Sequence, residues 1–282
     1  MTHAANFSRR TFLTIAGALP FIVRHPARAA AKPIGLELYS VRDELKKDLM
    51  ATVTAVAKIG YEVVEFYAPY YSWTTQTATD VRKLMDDLGI KCPSTHNSGQ
   101  ALSPEGLPKA IELNQILGST LIVQASPGKV VGIDSYKAIG ERLNAAAEKL
   151  KGAGMSSGYH NHRVEWELLE GQRPMDVLAE TTTPNVVLQL DVGTCVQAGA
   201  DPVAWIEANP GRIKSIHCKD WSPERGFAVL TGEGVSPWRK IIQAAETTGG
   251  LEHYLIEQEE GPATEQLQRA EQCLANWKKL RT

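Results

Sequence analysis

The chain has 282 residues, of which 43% are hydrophobic, so it is long enough to bury a full core as one α/β domain. Its formal net charge is -2. This balance excludes the strongly basic surface that is typical of proteins that bind nucleic acid or an anionic membrane.

The N-terminal segment has the order of a secretory signal. Residues 8–13 carry an arginine pair, residues 13–23 are mostly apolar, and residues 27–29 read Ala-Arg-Ala, an A-x-A cleavage site. The arginine pair followed by Phe and Leu resembles the twin-arginine export signal, and the apolar stretch is too short for a stable membrane span. We therefore predict a signal at residues 1–29 that the Tat export machinery recognises, a mature domain at residues 30–282, and a periplasmic location.

One pattern then recurs along the chain. A short apolar run ends in polar residues, an amphipathic helical stretch follows, and a glycine such as Gly60, Gly89 or Gly118 is placed to end the helix. The runs predict strands at residues 34–41, 63–67, 90–97, 120–125, 158–162, 186–191, 213–219 and 253–258.

Eight such units predict a single-domain (β/α)8 TIM barrel, because strands alternating with helices form a parallel sheet that eight units can close. The alternative is an open doubly wound sheet. No G-x-G-x-x-G follows the first predicted strand, so the dinucleotide-binding form of that alternative is not indicated.

Several residues that bind metals or transfer protons fall at or near predicted strand ends, where the active sites of such barrels lie. They are Glu65, His96, His160, His162, Asp191, His217 and Glu257. Residues i and i+2 of a strand face the same side, so His160 and His162 would aim at one point. Buried groups of these types are rare without partners, and their convergence predicts a metal site.

The ligands predicted for this site are His160, Asp191, His217 and Glu257. Mixed nitrogen and oxygen ligands suit one divalent ion such as Mn, Co, Fe or Zn better than Ca. The ion would polarise a carbonyl and acidify the C–H beside it, and Glu257 or Glu165 is the predicted base. If the strand register is shifted by two residues, His162 replaces His160 as the ligand.

Other residues near the strand ends are predicted to contact a small carbohydrate substrate. His162 and His96 would hold or protonate its hydroxyl groups, and Glu65 and Lys219 complete the predicted contacts. For Lys219 an exposed salt bridge is an equal alternative.

Motifs along residues 34–282 resemble the xylose-isomerase-like TIM barrel family, also called the sugar phosphate isomerase/epimerase family. They are the first strand G35-L-E-L-Y-S-V-R42, G60-Y61 with V64-E65, D191-V-G193, H217-C-K-D220, G232-E-G234 and I256-E-Q258. The resemblance implies a metal bound by two Glu, one Asp and one His. Asp191, His217 and Glu257 match three of these positions.

Two departures from the family pattern bear on the reaction. His160 stands where many relatives have Glu, and Thr194 stands where several have His. The replaced Glu is, in family epimerases, one of two carboxylates on opposite faces of the substrate. Its absence here therefore argues against an epimerase that uses two bases.

We predict a metal-dependent isomerase or epimerase that acts on an unphosphorylated keto-sugar through an enediolate. One alternative is a lyase that cleaves a keto-sugar or ketoglycoside by β-elimination. An alternative of another class is a non-catalytic periplasmic sugar-binding protein. Abasic-site endonucleases share the barrel, but the neutral charge and small ligand set argue against DNA repair. The substrate and the oligomeric state are left open.

Overall fold

The computed structural model describes Met1 and residues 31–282, so apart from Met1 the export signal predicted at residues 1–29 lies outside the described residues. Within residues 32–282, eight parallel strands close into one barrel in chain order, and this confirms the (β/α)8 prediction. The strands are β1 (Ile34–Glu37), β2 (Val63–Phe66), β3 (Lys91–Asn97), β4 (Leu121–Gln124), β5 (Ser156–His160), β6 (Val187–Asp191), β7 (Ser215–His217) and β8 (His253–Ile256).

In residues 31–282, α-helices connect the strands and follow the last one, and all of them except the first have buried residues. They are α1 (Arg42–Lys47), α2 (Leu49–Ile59), α3 (Thr75–Leu88), α4 (Leu107–Leu117), α5 (Asp134–Lys151), α6 (Pro174–Thr181), α7 (Val192–Gln197), α8 (Pro202–Ala208), α9 (Trp238–Ala244) and α10 (Gln266–Leu280). Short 3₁₀ turns follow β1, β2, β3 and β5, and a π-helical turn extends α9.

Helix α3 shows how the local sequence sets the boundaries of an element. The Thr74 side chain caps the N-terminus by accepting a hydrogen bond from the Thr77 backbone, and Met85 lies on the buried side. Gly89 ends the helix at φ 70°, and Gly60 ends α2 in the same way at φ 105°. These left-handed positions favour glycine, and they confirm the predicted helix ends.

Several strands end earlier than predicted, and for β1, β5 and β7 the difference changes which side chains lie at the opening of the barrel. β1 stops at Glu37 because its own carboxylate accepts a hydrogen bond from the backbone of Tyr39, which begins a 3₁₀ turn. β7 is only three residues long and ends at His217. β5 ends at His160, so His162 lies in the following turn and not on a regular strand.

No helix in the part of the chain that the structure describes is long and apolar enough to cross a membrane.

Candidate metal centre

The last four strands of the barrel each bring one side chain to a single cluster. His160, Asp191 and His217 are the final residues of β5, β6 and β7, and Glu257 directly follows β8. One nitrogen or carboxylate oxygen from each of the four lies within 4.8 Å of the others. All four side chains are buried, so each of these strand ends carries a polar group inside the barrel.

Asp191 has one oxygen that is held and one that is free. Its Oδ1 accepts hydrogen bonds from the backbone N and the hydroxyl of Thr194, at 2.7 and 3.0 Å. Asn161 accepts a hydrogen bond from the Asp191 backbone and fixes the strand end. Among the described residues no donor reaches the buried Oδ2. A buried carboxylate oxygen without a donor is costly, and a cation would satisfy it.

His217 lies between two carboxylates. Its Nδ1 is 2.6 Å from Glu257 Oε2, and its Nε2 is 2.8 Å from Glu65 Oε1. Although burial opposes the charge, Glu65 and Glu257 raise the pKa of His217 well above its usual value. A metal ion shared with Glu257 would replace the proton on one nitrogen, while Glu65 keeps the other N–H oriented.

Neighbouring cationic groups keep the side chain of Glu257 in its carboxylate form. Lys219 Nζ lies 3.2 Å from its Oε1 and His217 contacts its other oxygen. Burial alone would raise the pKa of Glu257, but Lys219 and His217 hold it well below its ordinary value. Glu257 therefore offers a carboxylate both to a metal ion and to a substrate proton.

Gln189, on β6, orients two histidines at once. Its Oε1 lies 2.7 Å from His96 Nε2 and 3.0 Å from His160 Nδ1, while its amide nitrogen donates to Glu65 and Ser215. The amide orientation makes Oε1 the acceptor, so the proton of neutral His160 is on Nδ1 and its Nε2 carries the lone pair. Burial, with nearby histidines, lowers the pKa of His160 well below its usual value and keeps it neutral.

These features fit a divalent ion. Neutral His160 and the oxygen of Asp191 without a donor are ready ligands, and His217 and Glu257 complete a set of two nitrogens and two oxygens. Such a mixed set suits Mn, Fe, Co or Zn, and a Gln or Glu behind each imidazole is the support that metal-bound histidines normally have.

A cavity of about 310 Å³ opens beside the cluster. It is lined by Glu37, Tyr39, Tyr67, Ala68, His96, Asn97, Ser98, Ala125, Ser126, His160, His162, Glu257 and Glu259. The residues come from the ends of β1 to β5 and β8, as expected for the active-site face of this architecture. The predicted residues His96, His160, His162 and Glu257 are thus brought to one space that can hold a small molecule.

Two residues predicted to contact the substrate lie behind the cluster. Glu65 is fully buried and binds the rings of His96 and His217, at 3.0 and 2.8 Å. These histidines lower the pKa of Glu65 to about 2 against the effect of burial. Lys219 is also buried, and it pairs with Glu257 and Glu259; the exposed salt bridge considered for Lys219 is wrong.

Glu165, one of the two predicted bases, is not among the residues that line the cavity. The turn after β5 directs its carboxylate back into the protein. There it accepts hydrogen bonds from the Tyr159 hydroxyl at 2.9 Å and from the backbone N of His162 at 2.7 Å. Glu165 therefore holds the turn that carries His162, which lies with its ring centroid 5.0 Å from that of His160.

Three residues of the site were not predicted from the sequence. Gln189 stands two residues before Asp191, so the period of a strand places both side chains on one side of the sheet, but an amide is not a residue type that signals a metal site in a sequence. Glu37 was assigned to the middle of a longer strand. Glu259 lies beyond the last predicted strand, and its contact with Lys219 depends on the loop conformation.

The sequence model of the xylose isomerase-like TIM barrel family matches residues 53–277, well over half of the chain. The chain belongs to this family. The match confirms the family predicted from the strand-end motifs.

Curated relatives match this chain over part of their length. The rhizopine catabolism protein MocC of Rhizobium meliloti is 25% identical in an alignment of 146 residues that covers 46% of this chain and 44% of that protein. An inosose dehydratase of Geobacillus thermodenitrificans is 27% identical in an alignment of 149 residues that covers 46% of this chain and 47% of that protein. The chain spans about half the length of the curated relatives it matches.

Solved structures of the same barrel match over most of their length. A sugar phosphate isomerase/epimerase from Parabacteroides distasonis has a TM-score of 0.73 at 26% identity, covering 88% of this chain and 96% of that one. A D-psicose 3-epimerase from Clostridium cellulolyticum has a TM-score of 0.67 at 16% identity, covering 88% and 98%. At 16% identity the similarity to this epimerase shows a shared fold and nothing about the activity of this chain.

Proposed function

We propose that the protein is a metal-dependent enzyme that enolises an unphosphorylated keto-sugar or keto-cyclitol and then eliminates a β-substituent. The proposal rests on the buried cluster of His160, Asp191, His217 and Glu257, two of which line the adjacent cavity. Family membership and relatives named inosose dehydratase support a carbohydrate substrate.

The residues can be given separate roles. A divalent ion held by the cluster would polarise the substrate carbonyl and so acidify the neighbouring C–H. The Glu257 carboxylate lies on the cavity wall, where it can take that proton, and His162 is the second base on the same wall. His96, whose ring is held by Glu65 and Gln189, faces the same cavity and can contact a hydroxyl group.

β-Elimination is favoured over epimerisation by the residue at the end of β5. An epimerase must deliver a proton to the face opposite the one that loses it, and it needs an acid–base group on each side. Here His160 is a neutral imidazole tied to Gln189 and belongs to the ligand set. One base is enough for elimination.

An isomerase or epimerase is the second candidate. It shares the enolisation step, and the 26% identical structure from Parabacteroides distasonis carries that name. The two outcomes differ in the product: elimination gives an unsaturated ketone and a released alcohol or water, whereas isomerisation or epimerisation keeps the mass of the substrate.

Solvent exchange tests the shared step. The protein is incubated with Mn²⁺ in D₂O with inosose and with methyl 3-keto-glucoside, and deuterium at the carbon beside the ketone is followed by NMR. We expect exchange with the wild type and a loss of about 10²–10⁴-fold in Glu257→Gln. Bound metal is measured by mass spectrometry in both proteins, so that loss of the ion and loss of the base are separated.

A matched control is Glu112→Gln, the same change on an exposed position of α4. It should exchange at the wild-type rate. Binding of these probes by the wild type without any exchange would instead indicate the non-catalytic sugar-binding protein.

We also propose that the chain is exported by the Tat machinery and works in the periplasm. The support is the order of the arginine pair, apolar stretch and Ala-Arg-Ala site in residues 8–29. Changing Arg9 and Arg10 to Lys should leave the protein in the cytoplasmic fraction of a bacterial host. Periplasmic recovery of that variant would contradict the proposal.

A further inference from the structure

A second cavity lies next to the one beside the metal centre, and the two share a wall. The second cavity has a volume of about 230 Å³, and Tyr67 lines both spaces. Of the two residues that follow Tyr67, Ala68 lines the first cavity and Pro69 lines the second. Both are exposed and have small side chains. A substituent on a molecule in the first cavity can therefore pass over them into the second.

The two cavities differ sharply in polarity. Nine of the thirteen residues that line the first have carboxyl, imidazole, amide or hydroxymethyl side chains. Seven of the eight that line the second are apolar or aromatic, and the eighth, Lys46, pairs with Asp43 at 3.3 Å. We call the second cavity the aromatic groove. Besides Pro69, its apolar walls are Leu45 and Leu49 from α1 and α2, and Phe66, Tyr67, Tyr70 and Trp73 from β2 and the turn after it.

Part of the aromatic groove is accessible to a ligand. Leu45, Leu49, Tyr67 and Trp73 are only partly buried, although they pack against the core of the barrel. Burying this apolar surface under a bound group is favourable, because it removes the surface from water. A polar sugar ring gains little from such walls, whereas an apolar substituent does.

The accessible rings are already held in place. Trp73 makes edge-to-face contacts with the buried rings of Phe66 and Tyr70, at centroid distances of 5.1 and 6.1 Å. Tyr67 is held in the same way by Tyr39 at 5.2 Å. Aromatic rings contribute large flat surfaces, and side chains that are fixed before binding lose little entropy when a ligand arrives. The groove therefore suits a flat aromatic group better than a puckered one.

The volumes are consistent with a substrate of two parts. Ligand sites in proteins usually measure about 300–1,000 Å³. The first cavity, at about 310 Å³, is at the lower end of this range and can hold one polar sugar ring. The aromatic groove adds about 230 Å³ on the other side of Tyr67, which is room for a second ring.

We propose that the aromatic groove binds the aglycone of the substrate, which is an aryl or arylalkyl ketoglycoside; this assignment deepens the proposed function and rests on it. The keto-sugar occupies the first cavity, and Tyr67 and Trp73 contact the aromatic ring. After Glu257 has removed the proton beside the ketone, the electron pair of that C–H bond forms the new C=C bond as the glycosidic C–O bond breaks. The released oxygen takes a proton from water, and the products are the unsaturated ketone and the phenol or aromatic alcohol.

Glycosides whose leaving groups have similar basicity test binding of the ring apart from the chemistry. Methyl, benzyl and cyclohexylmethyl 3-keto-glucosides, with deuterium at both carbons beside the ketone, are incubated with the Mn²⁺-loaded protein. Release of deuterium into water, followed by NMR, measures enolisation whatever product follows. We expect kcat/KM for the benzyl glycoside to exceed that for the methyl glycoside about 10–100-fold. The cyclohexylmethyl glycoside, which is as large but not flat, should gain far less.

Variants of the groove show where the preference arises. Trp73→Ala should lower the benzyl-to-methyl ratio of kcat/KM about tenfold, whereas Trp73→Phe retains a ring and should keep most of the ratio. Tyr71→Ala is the matched control, because it removes a ring from the same turn but Tyr71 does not line the groove. Its ratio should equal that of the wild type.

A second variant covers the case in which Trp73→Ala does not fold, which a thermal melt would show. Leu45 is partly exposed on α1, a helix without buried residues, so Leu45→Asp should fold. A carboxylate in the aromatic groove should remove the preference for the benzyl glycoside, because an aromatic ring would have to displace its water.

The other outcomes separate this inference from the proposed function. Equal kcat/KM for the benzyl and methyl glycosides, or a ratio that the groove variants leave unchanged, overturns the aglycone site and leaves the proposed function intact. An equal gain for the benzyl and cyclohexylmethyl glycosides overturns the aromatic class of the aglycone. Release of deuterium from none of the three glycosides, together with no exchange of inosose, overturns the proposed function itself.

Discussion

The side-chain oxygen of Gln189 lies 3.0 Å from Nδ1 of His160. The same glutamine donates its amide protons to Glu65 and Ser215, at 2.9 Å each, so the amide cannot turn over without placing its oxygen against other acceptors. An amide that is not a ligand therefore determines which nitrogen of His160 can bind a metal ion.

Gln189→Leu should lower metal affinity about 10–100-fold, since groups that orient a metal-bound histidine typically contribute that much. Competition between the protein and a fluorescent chelator measures the affinity for Mn²⁺ and Zn²⁺. Ser215→Ala is the matched control, because it removes a contact to the amide nitrogen but leaves the oxygen with His160. Equal affinity in Gln189→Leu and the wild type would remove the orienting role.

Metal ions should stabilise the folded protein through Asp191. At a free concentration near 100 times its Kd, an ion that binds only the folded chain adds about 2.7 kcal/mol to the free energy of unfolding. Thermal melts with Mn²⁺ and with a chelator measure the difference. In Asp191→Asn, which retains an acceptor for Thr194, the difference should largely disappear. A full metal-dependent shift in that variant would exclude Asp191 as a ligand.

Glu165→Gln should leave proton exchange beside the substrate ketone within a few-fold of the wild-type rate. The Glu165 carboxylate is turned toward the Tyr159 hydroxyl and the His162 backbone, and a glutamine oxygen can accept either bond. Deuterium exchange followed by NMR is the measurement, with Glu257→Gln in parallel. A loss as large as that in Glu257→Gln would show that Glu165 reaches the substrate and is the base.

Asp220→Ala should destabilise the barrel by roughly 2–4 kcal/mol, because it leaves the buried indole N–H of Trp238 and two partly buried backbone N–H groups without their charged acceptor. The Asp220 carboxylate accepts hydrogen bonds from Gly232 N, Gly234 N and the Trp238 indole, at 2.9, 3.1 and 2.8 Å. Chemical denaturation gives the free energy of unfolding. Glu224→Ala, an exposed acid in the same loop, is the control and should have little effect.

His253 should make the fold less stable in mild acid. Burial lowers the pKa of His253 to about 4, while in the unfolded chain it is about 6.5. Between these values only the unfolded state takes up the proton, so stability falls as the pH decreases from about 6.5 to 4, by up to roughly 3 kcal/mol in total. Denaturation midpoints at several pH values should show a shallower decline in His253→Asn. Identical slopes would show that His253 does not contribute.

The barrel and most of the cluster were predictable because both depend on local patterns. Short apolar runs that end in polar residues, and glycines at helix ends, are read directly from the sequence. In a closed parallel barrel every strand end lies on one face, so His160, Asp191, His217 and Glu257 had to be neighbours once the fold was known.

The positions of the Glu37 and Glu165 side chains were not predictable in this way, because each depends on a turn. The strand that carries Glu37 ends where its own carboxylate binds the backbone of Tyr39, and a continued strand fits the apolar pattern equally well. Glu165 is near the histidines in sequence, but the 3₁₀ turn Arg163–Glu165 directs its carboxylate away from the cavity. Neither turn has a residue pattern that distinguishes it from the alternatives.

The four residues proposed as ligands, His160, Asp191, His217 and Glu257, come from β5, β6, β7 and from the residue after β8. A chain that emerges from the ribosome therefore lacks a complete coordination set until its last strand has been made and has paired with β1 and β7. Capture of the proposed ion would then coincide with closure of the barrel. The metals available where the chain folds would determine which ion fills the proposed site.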